Sequence, residues 1–127
     1  MAAGLVAACP PLSAAPGYGP GINADEALKR LMDGNARYIA GLKEGATRRN
    51  SDARAEVAES QYPHSIILSC ADSRVAPEVL FDAGIGDLFV VRVAGNTVSQ
   101  ANYGVMGSLE YGVAVLKVPL LMVMGHE

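Results

Sequence analysis

Three short apolar runs mark the second half of the chain: Ser65-Ile66-Ile67-Leu68-Ser69-Cys70, Asp87-Leu88-Phe89-Val90-Val91-Arg92-Val93 and Val118-Pro119-Leu120-Leu121-Met122-Val123-Met124. Their apolarity is continuous, not alternating, which is the pattern of strands covered on both faces in a parallel sheet. Between the first two runs, Pro77 followed by Glu78 predicts a proline-opened helix reaching Asp82, with Gly84 and Gly86 ending it. Between the second and third, Tyr103 to Lys117 is long and apolar enough for a crossover helix. The order strand, helix, strand, helix, strand predicts an α/β fold with a parallel β-sheet core, flanking helices and right-handed crossovers.

The first half reads differently. Asn23 is a good helix cap, with Glu26 in the capping-box position and Asp25 suiting the helix N-terminus. The helix predicted from there runs roughly over 24–42. It carries Leu28, Leu31, Met32, Tyr38, Ile39 and Leu42 at helical spacing, with Lys29, Arg30, Asp33 and Arg37 mostly off that face. Such a stripe has to be buried somewhere. Lys43 to Ser60 is polar, and Ser51 is a candidate cap for a short second helix through Glu59. Pro10 to Gly21 is rich in proline, glycine and alanine. Leu5 to Cys9 has the small-residue character of an export segment without a preceding Lys or Arg. Residues 1–22 are therefore expected to be a flexible arm or an export-signal remnant, and 23–127 the ordered domain, in the cytoplasm or the periplasm.

A chain of 127 residues with 50% hydrophobic and 18% charged residues suits one globular domain with one core. Its formal charge of -3 gives no basic field, so no nucleic-acid partner is expected. The acidic excess lies wholly in residues 64–127. No apolar run reaches the roughly 18 residues that a membrane span needs, so none is expected. Two cysteines, Cys9 and Cys70, cannot build a disulfide-dense scaffold.

In open α/β sheets ligands bind beyond the carboxyl ends of the strands. Cys70 ends the first run, His126 follows the third, and Arg92 and the Gly95-Asn96 turn lie at the end of the second. Topology alone thus brings a thiol, an imidazole and the carboxylate of Asp72 to one edge. Cys70-Ala71-Asp72-Ser73-Arg74 sets thiolate, carboxylate and guanidinium at alternate positions, and thiolate with imidazole is a ligand pair that favours zinc. Each residue has a plainer reading: a buried small hydrophobe for Cys70, a helix cap for Asp72, a surface ion pair for Arg74, a structural histidine for His126. Their convergence favours a site. His64 belongs to no motif and is expected at the surface.

Cys70-Ala71-Asp72-Ser73-Arg74, Gly86-Asp87-Leu88-Phe89-Val90-Val91-Arg92-Val93-Ala94-Gly95-Asn96, Gly107-Ser108-Leu109-Glu110-Tyr111 and Met124-Gly125-His126 together resemble the beta-class carbonic anhydrases of bacterial type. The resemblance runs from about Asn23 to the end. It implies a zinc lyase that interconverts carbon dioxide and bicarbonate through zinc-bound hydroxide. Cys70 and His126 are implied as zinc ligands. Asp72 is implied either as a further ligand of a closed site or as a carboxylate beside the metal-bound water of an open one. Arg74 is implied to pair with Asp72 and decide between those states. A homodimer or larger assembly is also implied, with the amphipathic N-terminal helix packed on its neighbour.

Two departures stand out. The family's second zinc cysteine comes three residues after the histidine, which would be position 129, beyond Glu127. The chain is therefore expected to be truncated before that cysteine, to lack the C-terminal part of the fold, and to be impaired on its own. Ala83 stands where many bacterial relatives have glutamine, and it cannot donate a side-chain hydrogen bond to bicarbonate. The competing readings are an inactive association or regulatory fragment and a related zinc hydrolase acting on carbon disulfide or carbonyl sulfide. A cysteine-nucleophile enzyme using Cys70 and His126 is disfavoured, since no thiol-hydrolase motif is present.

Overall fold

The computed structural model describes residues 21–127, and the expected arm or export remnant lies almost wholly outside the described residues. Four α-helices and three strands follow in the order α1 (Ala24–Ile39), α2 (Ser51–Glu56), β1 (Ser65–Cys70), α3 (Pro77–Leu80), β2 (Leu88–Val93), α4 (Tyr103–Ala114) and β3 (Leu121–Met124). A 3-10 turn over Gly45–Arg49 precedes α2, and a shorter one over Ala94–Asn96 follows β2. The sheet is parallel throughout, in the order β2-β1-β3. β1 is buried along nearly its whole length, whereas β3, at an edge, alternates exposed and half-buried positions. The expected α/β parallel sheet is thus present, with its continuous-run signature strongest where the strand is central.

The element ends follow local chemistry. Asn23 accepts a hydrogen bond from the Glu26 N–H at 2.9 Å and caps α1. The helix stops at Ile39, short of the expected 42, because Gly41 adopts φ +74°. There Leu42 N–H donates to the Arg37 carbonyl and Gly41 N–H to Tyr38, closing a Schellman turn. α2 is capped by Asn50, not Ser51, and ends at Glu56. α3 is a single turn whose exit passes through Asp82 at φ 43°. β3 begins only at Leu121, since Lys117 at φ 56° and Pro119 hold the preceding residues out of the ladder.

One face of the sheet is covered by α4: Leu68, Val91 and Val105 form a buried cluster, flanked by Phe89, Val93 and Leu109. Gly112 lets α4 approach, since a Cβ there would stand 2.7 Å from Ile66 Cδ1. α1 buries Ala27, Leu31 and Gly34. At Gly34 a Cβ would lie 1.9 Å from the Phe81 carbonyl oxygen, so helix and α3 exit touch backbone to backbone. The expected burial of the α1 stripe is met by Leu31 alone. Met32 is 65% exposed and Ile39 76%, and Leu28, Tyr38 and Leu42 are also exposed, because only the narrow Ala27-Leu31-Gly34 line meets the body of the chain.

His64 corrects the surface expectation. It is only 7% exposed, immediately before β1. Its backbone N–H donates to the Asp87 carbonyl at 2.8 Å and its Nδ1 lies 2.9 Å from Ser65 Oγ. The Ser65 hydroxyl gives the buried ring a polar partner, and burial pushes its pKa down.

Candidate metal centre

The carboxyl ends of the three strands meet at one edge. Ser69 pairs in register with both Arg92 and Met124, so Cys70, Arg92 and the segment leading to His126 are neighbours across the sheet. Cys70 is a free, half-buried thiol. Its Sγ accepts the backbone N–H of Asp72 and that of Gly95, each at 3.4 Å. Gly95 reaches this position because it takes φ +72°, a conformation that glycine enters without steric cost.

These contacts make the sulfur thiolate-like. Hydrogen bonding with the His126 imidazole is the largest cause, the two N–H groups add to it, and the Cys70 thiol is pulled down to about 7. The His126 pKa is raised in return, first by Cys70 and then by the Glu127 backbone, whose carbonyl lies 3.2 Å from Nδ1. Each group thus favours the charged form of the other.

Asp72 is held by Arg74. Arg74 donates Nε to Oδ1 at 2.9 Å and Nη2 to Oδ2 at 2.7 Å, and its backbone N–H donates to Oδ1 at 2.9 Å. Three donors on one carboxylate hold it well below the usual carboxylate range, with the Arg74 guanidinium as the largest cause. The Asp72 side chain is 23% exposed and that of Arg74 76%, so the carboxylate is fixed from the solvent side. Among the described residues no group of three or more His, Cys, Asp or Glu side chains gathers at metal-binding distance. Cys70 and His126 do fit zinc as a thiolate and imidazole pair. The Asp72 carboxylate at the same edge is engaged by Arg74.

Two features of this edge had little signal in the sequence. Arg92 interrupts an otherwise apolar run one residue before the end of β2, and its Nε donates to the Cys70 carbonyl at 2.9 Å while Nη2 donates to the Asp72 carbonyl. The Gly95 N–H on the sulfur is foreshadowed only by the Gly95-Asn96 turn pair. Ala83 is buried beneath the neighbouring α3 exit, and its carbonyl accepts both Nε and Nη2 of Arg49.

A parallel α/β sheet carrying Cys-x-Asp-x-Arg at the tip of its central strand, with a histidine after the next strand, defines a carbonic-anhydrase-like class of domain. The carbonic anhydrase family profile matches residues 65–127. A carbonic anhydrase of Mycolicibacterium smegmatis is 47% identical over 108 residues, covering 85% of this chain and 50% of the relative. Carbonic anhydrase 2 of Mycobacterium tuberculosis is also 47% identical over 108 residues, with the same coverage. Among solved structures, the Coccomyxa beta-carbonic anhydrase shares 37% identity at a TM-score of 0.58, over 78% of this chain and 43% of that one. Over the length it spans, the chain belongs to the beta-carbonic anhydrase family. It spans about half the length of the curated relatives it matches.

Proposed function

We propose that this chain serves the reversible hydration of carbon dioxide to bicarbonate and a proton, with Cys70 and His126 as zinc ligands and with Asp72 and Arg74 beside the metal. The observation that carries the reading is the convergence of a lowered thiol, an imidazole and a locked carboxylate at one edge of a parallel sheet. Zinc, when bound, supplies a Lewis acid that brings the pKa of a water down to about 7.

The residues divide the remaining work. The Asp72 and Gly95 amides hold the sulfur at the sheet edge in its metal-binding form. His126 must give up its proton to bind, so metal uptake and proton release are coupled. Arg74 keeps the Asp72 carboxylate ionised and occupied. An ionised Asp72 accepts a hydrogen bond and so orients a water, while its low pKa makes it too weak a base to take the proton itself. If the Arg74 pair is broken, Asp72 becomes free to ligate metal, which closes the site.

The family resemblance places a second cysteine three residues beyond His126, so the complete donor set belongs to a chain continuing past Glu127. The exposed α1 stripe supports a homo-oligomer, with that stripe against a second copy. The test compares zinc content and carbon dioxide hydration in this chain and in a longer chain carrying the residues that follow in its relatives. Stoichiometric zinc and activity are expected only in the longer chain. Absence of both from the longer chain would remove the reading, and equal zinc and activity in the two would remove the role given to the second cysteine.

A further inference from the structure

We propose that Arg92 is a positioning residue that sets the Cys70 to Asp72 turn and so presents the Cys70 sulfur for metal. The last ladder bond between β1 and β2 runs from Ala71 N–H to the Val93 carbonyl at 3.1 Å, after which the two strands part. Two carbonyls of the departing loop, those of Cys70 and Asp72, both accept from the one Arg92 guanidinium.

A guanidinium offers its N–H groups in a fixed planar fork. Two prongs on carbonyls two residues apart fix the peptide planes between them. The same short stretch contains the Asp72 N–H that donates to Cys70 Sγ. Arg92 thereby holds in place a donor to the sulfur without touching the sulfur. It sits on the strand that runs on into Gly95, whose N–H is the second donor, so one end of β2 organises both amides on Cys70. A lysine carries the same charge but lacks the planar fork.

The part of the proposal that concerns metal rests on the Cys70 and His126 reading above, and the experiment separates the two. Amide hydrogen exchange is measured by NMR on the metal-free chain as it stands, for wild type, Arg92→Lys and Arg92→Gln. Zinc affinity is measured by chelator competition on the same three variants of the longer chain. Exchange at the Asp72 amide is expected to speed up by about tenfold in both variants, with Ile67 and Leu68 in mid-β1 unchanged. Zinc affinity is expected to fall by about 10- to 100-fold, the usual effect of losing a partner that orients a ligand. An Arg92→Lys protein indistinguishable from wild type would overturn the clamp, since charge alone would then suffice. Equal acceleration at Ile67 and Leu68 would also overturn it, because Arg92 would then support the whole strand. Failure of the longer wild-type chain to bind zinc would count against the metal reading, and the exchange rates alone would then decide the clamp.

Discussion

Arg74 grips Asp72 from a position only two residues away, with two guanidinium nitrogens and its own backbone N–H on one carboxylate. Both partners therefore lie on one loop, the loop whose carbonyls Arg92 holds from β2. Replacing Arg74 by Ala is expected to leave zinc bound in the longer chain and to cut carbon dioxide hydration by about tenfold or more. Stopped-flow hydration assays with metal analysis check this, and full activity would end the role given to Arg74.

In the proposed site Cys70 supplies the thiolate, consistent with its lowered pKa. A Cys70→Ser hydroxyl stays protonated at neutral pH and is a far harder, weaker ligand. The longer chain with Cys70→Ser is expected to lose stoichiometric zinc, read by metal analysis after dialysis. Retained stoichiometric zinc would show that the ligand assignment is mistaken.

Three glycines separate three kinds of space. Gly34→Ala forces a Cβ against the Phe81 carbonyl, where neither backbone can yield, and is expected to cost about 2 kcal/mol or more. Gly112→Ala meets the flexible Cδ1 of Ile66 and should cost less. Gly107 has nothing within 4 Å of an added Cβ, and Gly107→Ala should gain roughly 0.5–1 kcal/mol from helix propensity. Urea denaturation of the three variants checks the order, and Gly34→Ala at wild-type stability would contradict the packing of α1 on α3.

His64 makes stability depend on pH. Its folded pKa lies below the ordinary 6.5 because burial disfavours the charged ring. The unfolded chain therefore takes up the proton first. The stabilising contribution is complete above about pH 6.5 and is lost as pH falls toward the lower folded value. A falling urea midpoint over that window is expected in the wild type, and a flatter profile in His64→Asn. Equal slopes in the two proteins would mean that some other group titrates there.

Asp82 acts in a more acidic window. Its carboxylate accepts Arg37 Nε at 2.8 Å and the Gly45 N–H at 2.9 Å, and Arg37 is the main cause that holds its pKa below the usual value of 3.8. Stability from this contact is present above about pH 4 and lost below it. Asp82→Asn should flatten the acid limb of the same profile without altering the limb set by His64.

The strands were the most legible part of the chain. β1 coincides with its predicted run because its central position buries nearly every residue, the apolar Ile66, Ile67 and Leu68 and the small Ser65 and Ser69 alike. At β3 the run overestimates the strand, since Pro119 and Lys117 make a turn out of residues that are apolar for other reasons. The candidate site was legible where side chains act at fixed spacing, as at Cys70, Asp72 and Arg74. It was not legible where backbone acts: the Gly95 N–H on the sulfur and the two carbonyls under Arg92 leave almost no mark on residue identity. The burial of His64 is not legible because its ring meets only a neighbouring hydroxyl and its backbone a carbonyl beyond α3, neither of which forms a recognisable motif with it.

The strand order β2-β1-β3 has a kinetic meaning. β1 is made first along the chain but acquires its partners from both later strands, with Ile66 pairing with Phe89 on one side and with Leu121 on the other. Such distant parallel pairings are slow to form, because the loops must close before the contacts repay them. Cys70 and His126 are therefore expected to come together only once β3 has docked, so zinc uptake by the longer chain during refolding should lag behind formation of α1 and α4.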